Sequence, residues 1–272
     1  MHYLYCNNFI PVNKYEKLKS ILKNMQSVLV AYSGGLDSTL LLKAAKDSLG
    51  DSLIAVTAVS GIYAKSELDF ARFMAEKLKV KFKTIRTSQL EDKKFISNPL
   101  NRCYFCKKHL FRKLIEISRK NKLNYVVDAA NLSDQDDFRP GEKAAKELGI
   151  RSPLKEAGFT KQDIRYFSKK LKLSSWDKPS TVCLASRIPY GKIITPAILK
   201  RIEQAENLLK KQGFSQLRVR HYDNLCRIEV PAGEISRMIG KRLWVIDNFK
   251  KLGYNYVCLD LEGYRMGSMN DG

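Results

Sequence analysis

Apolar and polar positions fall in blocks along the chain, and the period of the blocks changes. Residues 15–23 carry Leu18, Ile21 and Leu22 at helical spacing and predict a first helix. Residues 27–32 then form an almost unbroken apolar run that stops at Ser33-Gly34-Gly35. A short apolar run bounded by breakers suits a strand buried on both faces. A helix over 38–49, a second strand over 53–59 and a helix over 65–78 follow. Further strands are predicted at 81–85 and 125–128, with a helix over 105–120 between them. Strands alternating with helices predict a parallel sheet, hence an α/β fold. Residues 131–141 read as a polar loop, and 142–148 as a short helix closed by Gly149.

After Trp176 the pattern differs. A loop over 177–191 leads to a helix at 196–211, stopped by Gly213. Two alternating runs, 216–221 and 225–230, flank Asp223-Asn224 and predict an antiparallel hairpin. A helix over 232–252 and a strand over 256–261 complete a smaller α+β part. The expected division is residues 1–180 for the sheet domain and 181–272 for the second, with no repeat and no low-complexity linker between them.

The 272 residues suffice for a sizeable core in each part. The longest apolar runs have strand length, short of the roughly 20 residues a membrane span needs. The first dozen residues lack a basic start and an extended apolar segment, so no secretory signal is expected and the chain reads as cytoplasmic. The net charge of +21 suits a polyanion such as RNA, but much of the excess is lysine spread along amphipathic helices, as in Lys14, Lys17, Lys19 and Lys23. Solvated helix faces account for it, and a nucleic-acid partner is not expected.

Ser33-Gly34-Gly35-Leu36-Asp37-Ser38 lies between the first strand and its helix. Glycines there let backbone N–H groups approach phosphate oxygens, and the helix start adds unpaired N–H groups and a positive dipole end. The loop lacks the lysine of a G-x-x-x-x-G-K-S/T loop, so transfer of the γ-phosphate is not indicated. Gripping the β- and γ-phosphates together suits attack at the α-phosphorus of ATP and loss of pyrophosphate. Asp37 would hold Mg²⁺, and Ser33 and Ser38 would add hydroxyl contacts. The competing reading is an ordinary strand-to-helix turn with its cap. Asp128, Asn131 and Asp137 follow a predicted strand end, where open α/β sheets place ligand groups, and Ser60 is a further candidate for the nucleotide site with Asp128 and Asn131.

Asn101-Arg102-Cys103-Tyr104-Phe105-Cys106 sets two thiols three apart at a helix start, and Cys183 supplies a third from the later loop. Three thiolates suit a [4Fe-4S] cluster with one open iron. Zinc with His109 as fourth ligand, or redox-active thiols, fit the spacing equally. Cys6, Cys226 and Cys258 read as small packing residues. Arg218 and Arg220 alternate on a strand, so both point to one face and are able to fork onto one phosphate.

The S-G-G-x-D-S loop is the fingerprint of the PP-loop ATP pyrophosphatases. Asp136-Asp137-Phe138-Arg139-Pro140-Gly141, Arg151-Ser152-Pro153-Leu154-Lys155-Glu156-Ala157-Gly158, Trp176-Asp177-Lys178-Pro179, Cys183-Leu184-Ala185-Ser186-Arg187-Ile188-Pro189-Tyr190-Gly191 and Arg218-Val219-Arg220 together resemble the LarE family. The likeness runs from about residue 20 to Asp271. LarE proteins are ATP-dependent sulfurtransferases of nickel-pincer nucleotide biosynthesis. The resemblance implies adenylation of a carboxylate of pyridinium dicarboxylate mononucleotide, followed by its conversion to a thiocarboxylate. It implies ATP and Mg²⁺, a sulfide donor, and a homo-oligomer, a hexamer in family members. It also implies that Arg187, Arg218, Arg220 and Arg265 bind the substrate's phosphate, with Glu206 and Glu229 nearby as further substrate-site residues. One branch of the family sacrifices a cysteine's sulfur, and another carries three cysteines and a cluster. The trio Cys103, Cys106 and Cys183 resembles the second branch. A tRNA-thiolating enzyme and a non-catalytic zinc or nucleotide-binding protein are the alternatives.

Overall fold

A computed structural model of the chain describes residues 12–134, 140–179 and 182–265. His2, Cys6 and the expected ligand Asp137 lie outside these residues. The elements in order are α1 (Val12–Met25), β1 (Val28–Ala31), α2 (Leu36–Leu49), β2 (Leu53–Val59), α3 (Lys65–Lys77), β3 (Phe82–Arg86), α4 (Lys93–Ile96), α5 (Arg102–Lys120) and β4 (Tyr125–Val127). They continue with α6 (Pro140–Glu147), α7 (Pro153–Glu156), α8 (Lys161–Lys170), α9 (Pro196–Lys211), β5 (Arg218–Tyr222), β6 (Leu225–Glu229), α10 (Ile235–Gly240), α11 (Arg242–Lys251) and β7 (Tyr256–Leu259). None of the described helices is long and apolar enough to cross a membrane.

Two compact units emerge from the contacts within the chain. In the first, β1 to β4 form a sheet of order β3-β2-β1-β4. The central strand β1 runs parallel to β2, with Val28 beside Leu53, and to β4, with Val28 beside Tyr125. Both faces of the sheet are covered, and successive residues alternate between two cores. Val28, Val30, Leu53 and Ala55 join one core with Leu40, Met74 and Phe167, while Leu29, Ile54 and Val56 join another with Phe111, Leu114 and Ile150. That is why these strands read as continuous apolar runs rather than alternating ones.

The second unit gathers residues 59–65, 87–106 and the described residues from 179 onward. Its sheet pairs β5 with β6 as the expected hairpin and adds β7 parallel to β6. The inserts at 59–65 and 87–106 join this unit because Ile62 and Phe95 bury their side chains with Leu184, Ile188, Leu199 and Ile202. Main-chain bonds seal the join: Leu184 N–H to Ile62 O at 2.8 Å, and Ile194 N–H to Ile96 O at 2.9 Å.

Several expectations need correction. The helix expected from residue 38 begins at Leu36, with Gly35 as its N-cap, so Asp37 and Ser38 stand in its first turn. The helix expected over 105–120 begins at Arg102 and takes both cysteines into its first turns. The single helix expected over 232–252 breaks at Gly240-Lys241 into α10 and α11, as a glycine in a helix interior favours. Neither α7 nor α8 was expected, although α8 has a capping box: the Thr160 hydroxyl accepts from the Asp163 N–H, and the Asp163 carboxylate accepts from the Thr160 N–H.

His221 on β5 is buried beside Tyr254, its Nδ1 3.2 Å from that hydroxyl. Burial first, then Arg201, lower its pKa below the ordinary histidine value. The unfolded chain therefore binds a proton before the folded one does. Stability of the second unit is expected to be complete above about pH 6.5 and to fall below it, by at most about 1.4 kcal/mol per pH unit from this group. Urea midpoints of the wild type and His221→Gln, measured between pH 5 and 7.5, should converge as the pH falls.

Candidate active site

In the first unit the loop after β1 is shaped by its glycines. Gly34 has φ +72°, and a Cβ there would meet the Ala71 Cβ on α3 at 2.8 Å and its Cα at 2.9 Å. Gly34→Ala is expected to cost about 3 kcal/mol, from the positive φ and the clash together, and to weaken ATP binding; a urea midpoint and an ATP titration check it. Gly35 caps α2 without a side-chain hydrogen bond, so the N–H groups of the first turn point out of an uncapped helix start. Ser33 and Ser38 lace the bend: their hydroxyls lie 3.0 Å apart, Ser33 Oγ accepts from the Gly35 N–H at 3.3 Å, and Ser38 Oγ donates to the Gly35 carbonyl at 3.3 Å. The result is a concave, N–H-lined turn at the C-terminal end of a central parallel strand, the place where such sheets bind ligands.

The structure brings two lysines to this loop that motif reading missed. Lys161, first residue of α8, sets its Nζ 2.6 Å from both Asp37 oxygens. Lys178 donates to the Gly34 carbonyl at 3.3 Å and pairs with Glu67 at 2.8 Å. The Thr160-x-x-Asp163 capping box was the available signal for Lys161, since it fixes where α8 begins. Asn131, fully buried, donates from Nδ2 to Asp37 Oδ2 at 3.4 Å and accepts the Ser133 N–H at 3.0 Å. Asp128, just past β4, accepts from the Ser152 hydroxyl at 2.7 Å and the Ala130 N–H at 3.2 Å, with Lys107 at 3.7 Å. The unit thus gathers Ser33, Gly34, Gly35, Asp37, Ser38 and Asn131 at one strand end, and Asp37 already faces a cation.

The cysteine trio belongs to the second unit, as does Ser60, whose carbonyl accepts the Tyr63 N–H at 3.1 Å. None of the three cysteines is in a disulfide: Cys103 is exposed, while Cys106 and Cys183 are half-buried. Cys106, Cys183 and Tyr63 pack against the same apolar core. The Tyr63 hydroxyl is held far above the ordinary tyrosine pKa, by burial first and then by Cys106, Cys183 and Cys103, with a hydrogen bond to Cys106. Gln89 Nε2 also donates to Cys106 Sγ, at 3.8 Å. Among the described residues no group of three or more His, Cys, Asp or Glu is disposed to hold a metal ion. A single zinc would draw its thiolates to about 4 Å from one another, whereas a four-iron cube holds them further apart. Cys103, Cys106 and Cys183 are the residues that would hold either group. Cys226 is buried, its thiol pushed up to about 12 by burial, so it packs as expected; Cys258 is exposed on β7, which corrects the expectation that it packs inside.

The second-unit arginines are buried and occupied. Arg187 forks onto Glu206 through Nε at 2.9 Å and Nη2 at 3.2 Å, and its Nη1 donates to the carbonyls of Val182 and Cys183. It thereby braces the loop that carries the third cysteine. Arg220 forks onto Glu229 at 2.9 and 2.8 Å and donates to the Ser186 carbonyl at 3.0 Å. Arg218 donates to the Leu217 carbonyl at 2.7 Å and to the Tyr264 hydroxyl at 3.4 Å. Burial, then Arg187 nearby, lowers its pKa. Arg218 and Arg220 do share a strand face, Arg218 beside Tyr264 and Arg220 on Glu229. Arg265 is exposed and pairs with Glu262 three residues earlier.

Residues 27–102 match the family described as queuosine biosynthesis protein QueC, which covers the glycine loop and the first βαβ unit. Sheet, loop and similarity define a PP-loop enzyme, an ATP-dependent sulfurtransferase. Over 255 residues, 93% of this chain and 92% of the relative, the sequence is 38% identical to the pyridinium-3,5-bisthiocarboxylic acid mononucleotide synthase of Lactiplantibacillus plantarum. The chain belongs to the LarE family. Uncharacterised relatives occur in Synechocystis sp., 41% identical over 95% of this chain and 97% of the relative, and in Methanocaldococcus jannaschii, 33% identical over 93% and 98%.

Proposed function

We propose that this enzyme adenylates a carboxylate of pyridinium dicarboxylate mononucleotide and exchanges the activated oxygen for sulfur, releasing AMP. The carrying observation is the uncapped glycine turn at the end of β1 with Asp37 clasped by Lys161 and Asn131. Backbone N–H groups of that turn bind the β- and γ-phosphates, and Lys178, beside the Gly34 carbonyl, adds positive charge. The substrate carboxylate attacks the α-phosphorus, the bond to the bridging oxygen breaks, and pyrophosphate leaves. Mg²⁺ would be held by Asp37, where the Lys161 ammonium now stands in, and would neutralise the leaving pyrophosphate. Displaced from Asp37, Lys161 turns to the phosphates.

The acyl adenylate is then open at its carbonyl carbon. A sulfur nucleophile adds there and AMP leaves as the better leaving group, giving the thiocarboxylate. A [4Fe-4S] cluster held by Cys103, Cys106 and Cys183 would supply an open iron able to carry an added sulfide. Arg187 fixes the Cys183 loop from beneath through its two carbonyl contacts. Arg218 and Arg220, with Arg265, offer the N–H donors that receive the substrate's phosphate, while Glu206 holds Arg187 and Glu229 holds Arg220 in place. A homo-oligomer is part of the proposal.

Anaerobic incubation with iron and sulfide, then with ATP, Mg²⁺ and candidate carboxylated nucleotides, tests the proposal. AMP, pyrophosphate and a thio-product identified by mass are expected in equal amounts. ADP and orthophosphate in their place, or thiolation of tRNA, would overturn it.

A further inference from the structure

Arg102 is a buried cation that the proposed chemistry leaves unexplained. It is 5% exposed, and neither Nε nor Nη1 has a hydrogen-bond partner. Its charged group instead lies over the Tyr190 ring, 4.6 Å from the centroid. A ring face offsets only part of what a guanidinium loses on leaving water. The buried Arg187 and Arg220 of the same unit show the usual solution, a carboxylate fork. Arg102 has no such fork among the described residues.

Its position suggests what compensates it. Arg102 opens α5, directly before Cys103, and Cys106 lies four residues on, along the same helix face. Cys106 is also the sulfur that receives the Tyr63 hydroxyl and the Gln89 amide. Gln89 is itself buried, its Oε1 without a partner, so its amide is turned to give its N–H to sulfur at the expense of its oxygen. The α5 N-terminus adds its positive end. The hydroxyl, the amide and the helix start turn donors or positive charge to this sulfur, and the guanidinium is carried by the residue next to the first cysteine. A neutral thiol has little use for such surroundings, whereas a sulfur centre bearing negative charge is stabilised by each of them.

We propose that Tyr63, Gln89 and Arg102 are positioning residues for an anionic sulfur centre on Cys103, Cys106 and Cys183, with Arg102 as its buried counter-charge. This rests on the cluster reading above. Positive charge and hydrogen bonds at ligand sulfur favour the more negative redox state, so they raise the reduction potential and slow loss of the bound group.

The test loads wild type, Tyr63→Phe, Arg102→Met and Arg102→Lys with iron and sulfide without oxygen. Iron and acid-labile sulfide per chain, midpoint potential, and the rate of iron loss to a chelator are measured, with thermal melting as the check on folding. Arg102→Met and Tyr63→Phe are expected to lower the potential, and Arg102→Met to speed iron loss by about tenfold or more. Arg102→Lys is expected to restore most of the potential. Wild-type potential and iron loss in the folded variants would overturn the proposal while leaving the cluster reading standing. If Arg102→Met does not fold, an unchanged potential in Tyr63→Phe overturns it equally. A wild type that takes up one zinc, or no iron and sulfide, defeats the cluster reading and this proposal with it.

Discussion

Asp37→Asn is expected to lower AMP formation by about a thousandfold or more. The substitution keeps the shape of the side chain and removes its charge. Asp37 stands in the first turn of α2, one residue from the glycine bend, so no other carboxylate of the loop is available to take its place. A lost metal contact in phosphoryl chemistry is worth several kcal/mol of barrier, and about 4 kcal/mol corresponds to three powers of ten. The variant also leaves Lys161 without its counterion, so the ammonium lies against phosphate in the ground state as well as the transition state. Nucleotide binding should therefore survive while turnover fails, since binding both states equally does not speed the reaction. Single-turnover AMP release and an ATP titration on the same sample separate the two effects. AMP release within threefold of wild type would refute the role of Asp37.

Cys183→Ala is expected to abolish thio-product, by at least about a hundredfold, with adenylation unchanged. The two halves of the reaction use different groups. In the proposed reaction, adenylation would draw on the loop after β1 and sulfur delivery on the trio, which belongs to the second unit. Cys183 precedes a short turn whose main chain is tied down independently of the sulfur: Leu184 N–H bonds to Ile62 O, Arg187 bonds to the Val182 and Cys183 carbonyls, and the Ser186 hydroxyl bonds to the Cys183 carbonyl. Removing Sγ leaves these bonds in place and deletes a half-buried atom, so the fold should lose only about 1 kcal/mol. Pyrophosphate exchange measures the first half and mass analysis of the thio-product the second. Cys103→Ala and Cys106→Ala should behave alike. Thio-product formed at the wild-type rate by Cys183→Ala would show that the trio does not deliver sulfur.

The contrast between Arg187 and Arg218 shows how far sequence reasoning carried. Spacing on a strand correctly put Arg218 and Arg220 on one face, because a strand's period of two is a local property. It could not say that Arg220 and Arg187 would each be occupied by a carboxylate, since Glu229 lies on the facing strand and Glu206 on α9. The cysteine trio was legible as three thiols whose spacing suits several chemistries. Its surroundings were not: Tyr63 and Gln89 carry no motif, and they reach Cys106 only because segments 59–65 and 87–106 pack into one unit.

Apolar runs, glycine breaks and helical spacing were enough to specify a parallel α/β sheet, a hairpin after it and a glycine bend at residues 33–38, because each depends on neighbours a few residues apart. The charge balance inside the bend was decided elsewhere. Lys161 meets Asp37 across 124 residues of chain, and such a pairing exists only once the helix that carries the lysine has packed against the rest of its unit. Propensity and period act along the chain, whereas electrostatics act through space, and the ionic neighbourhood of each site residue comes only with the packed fold.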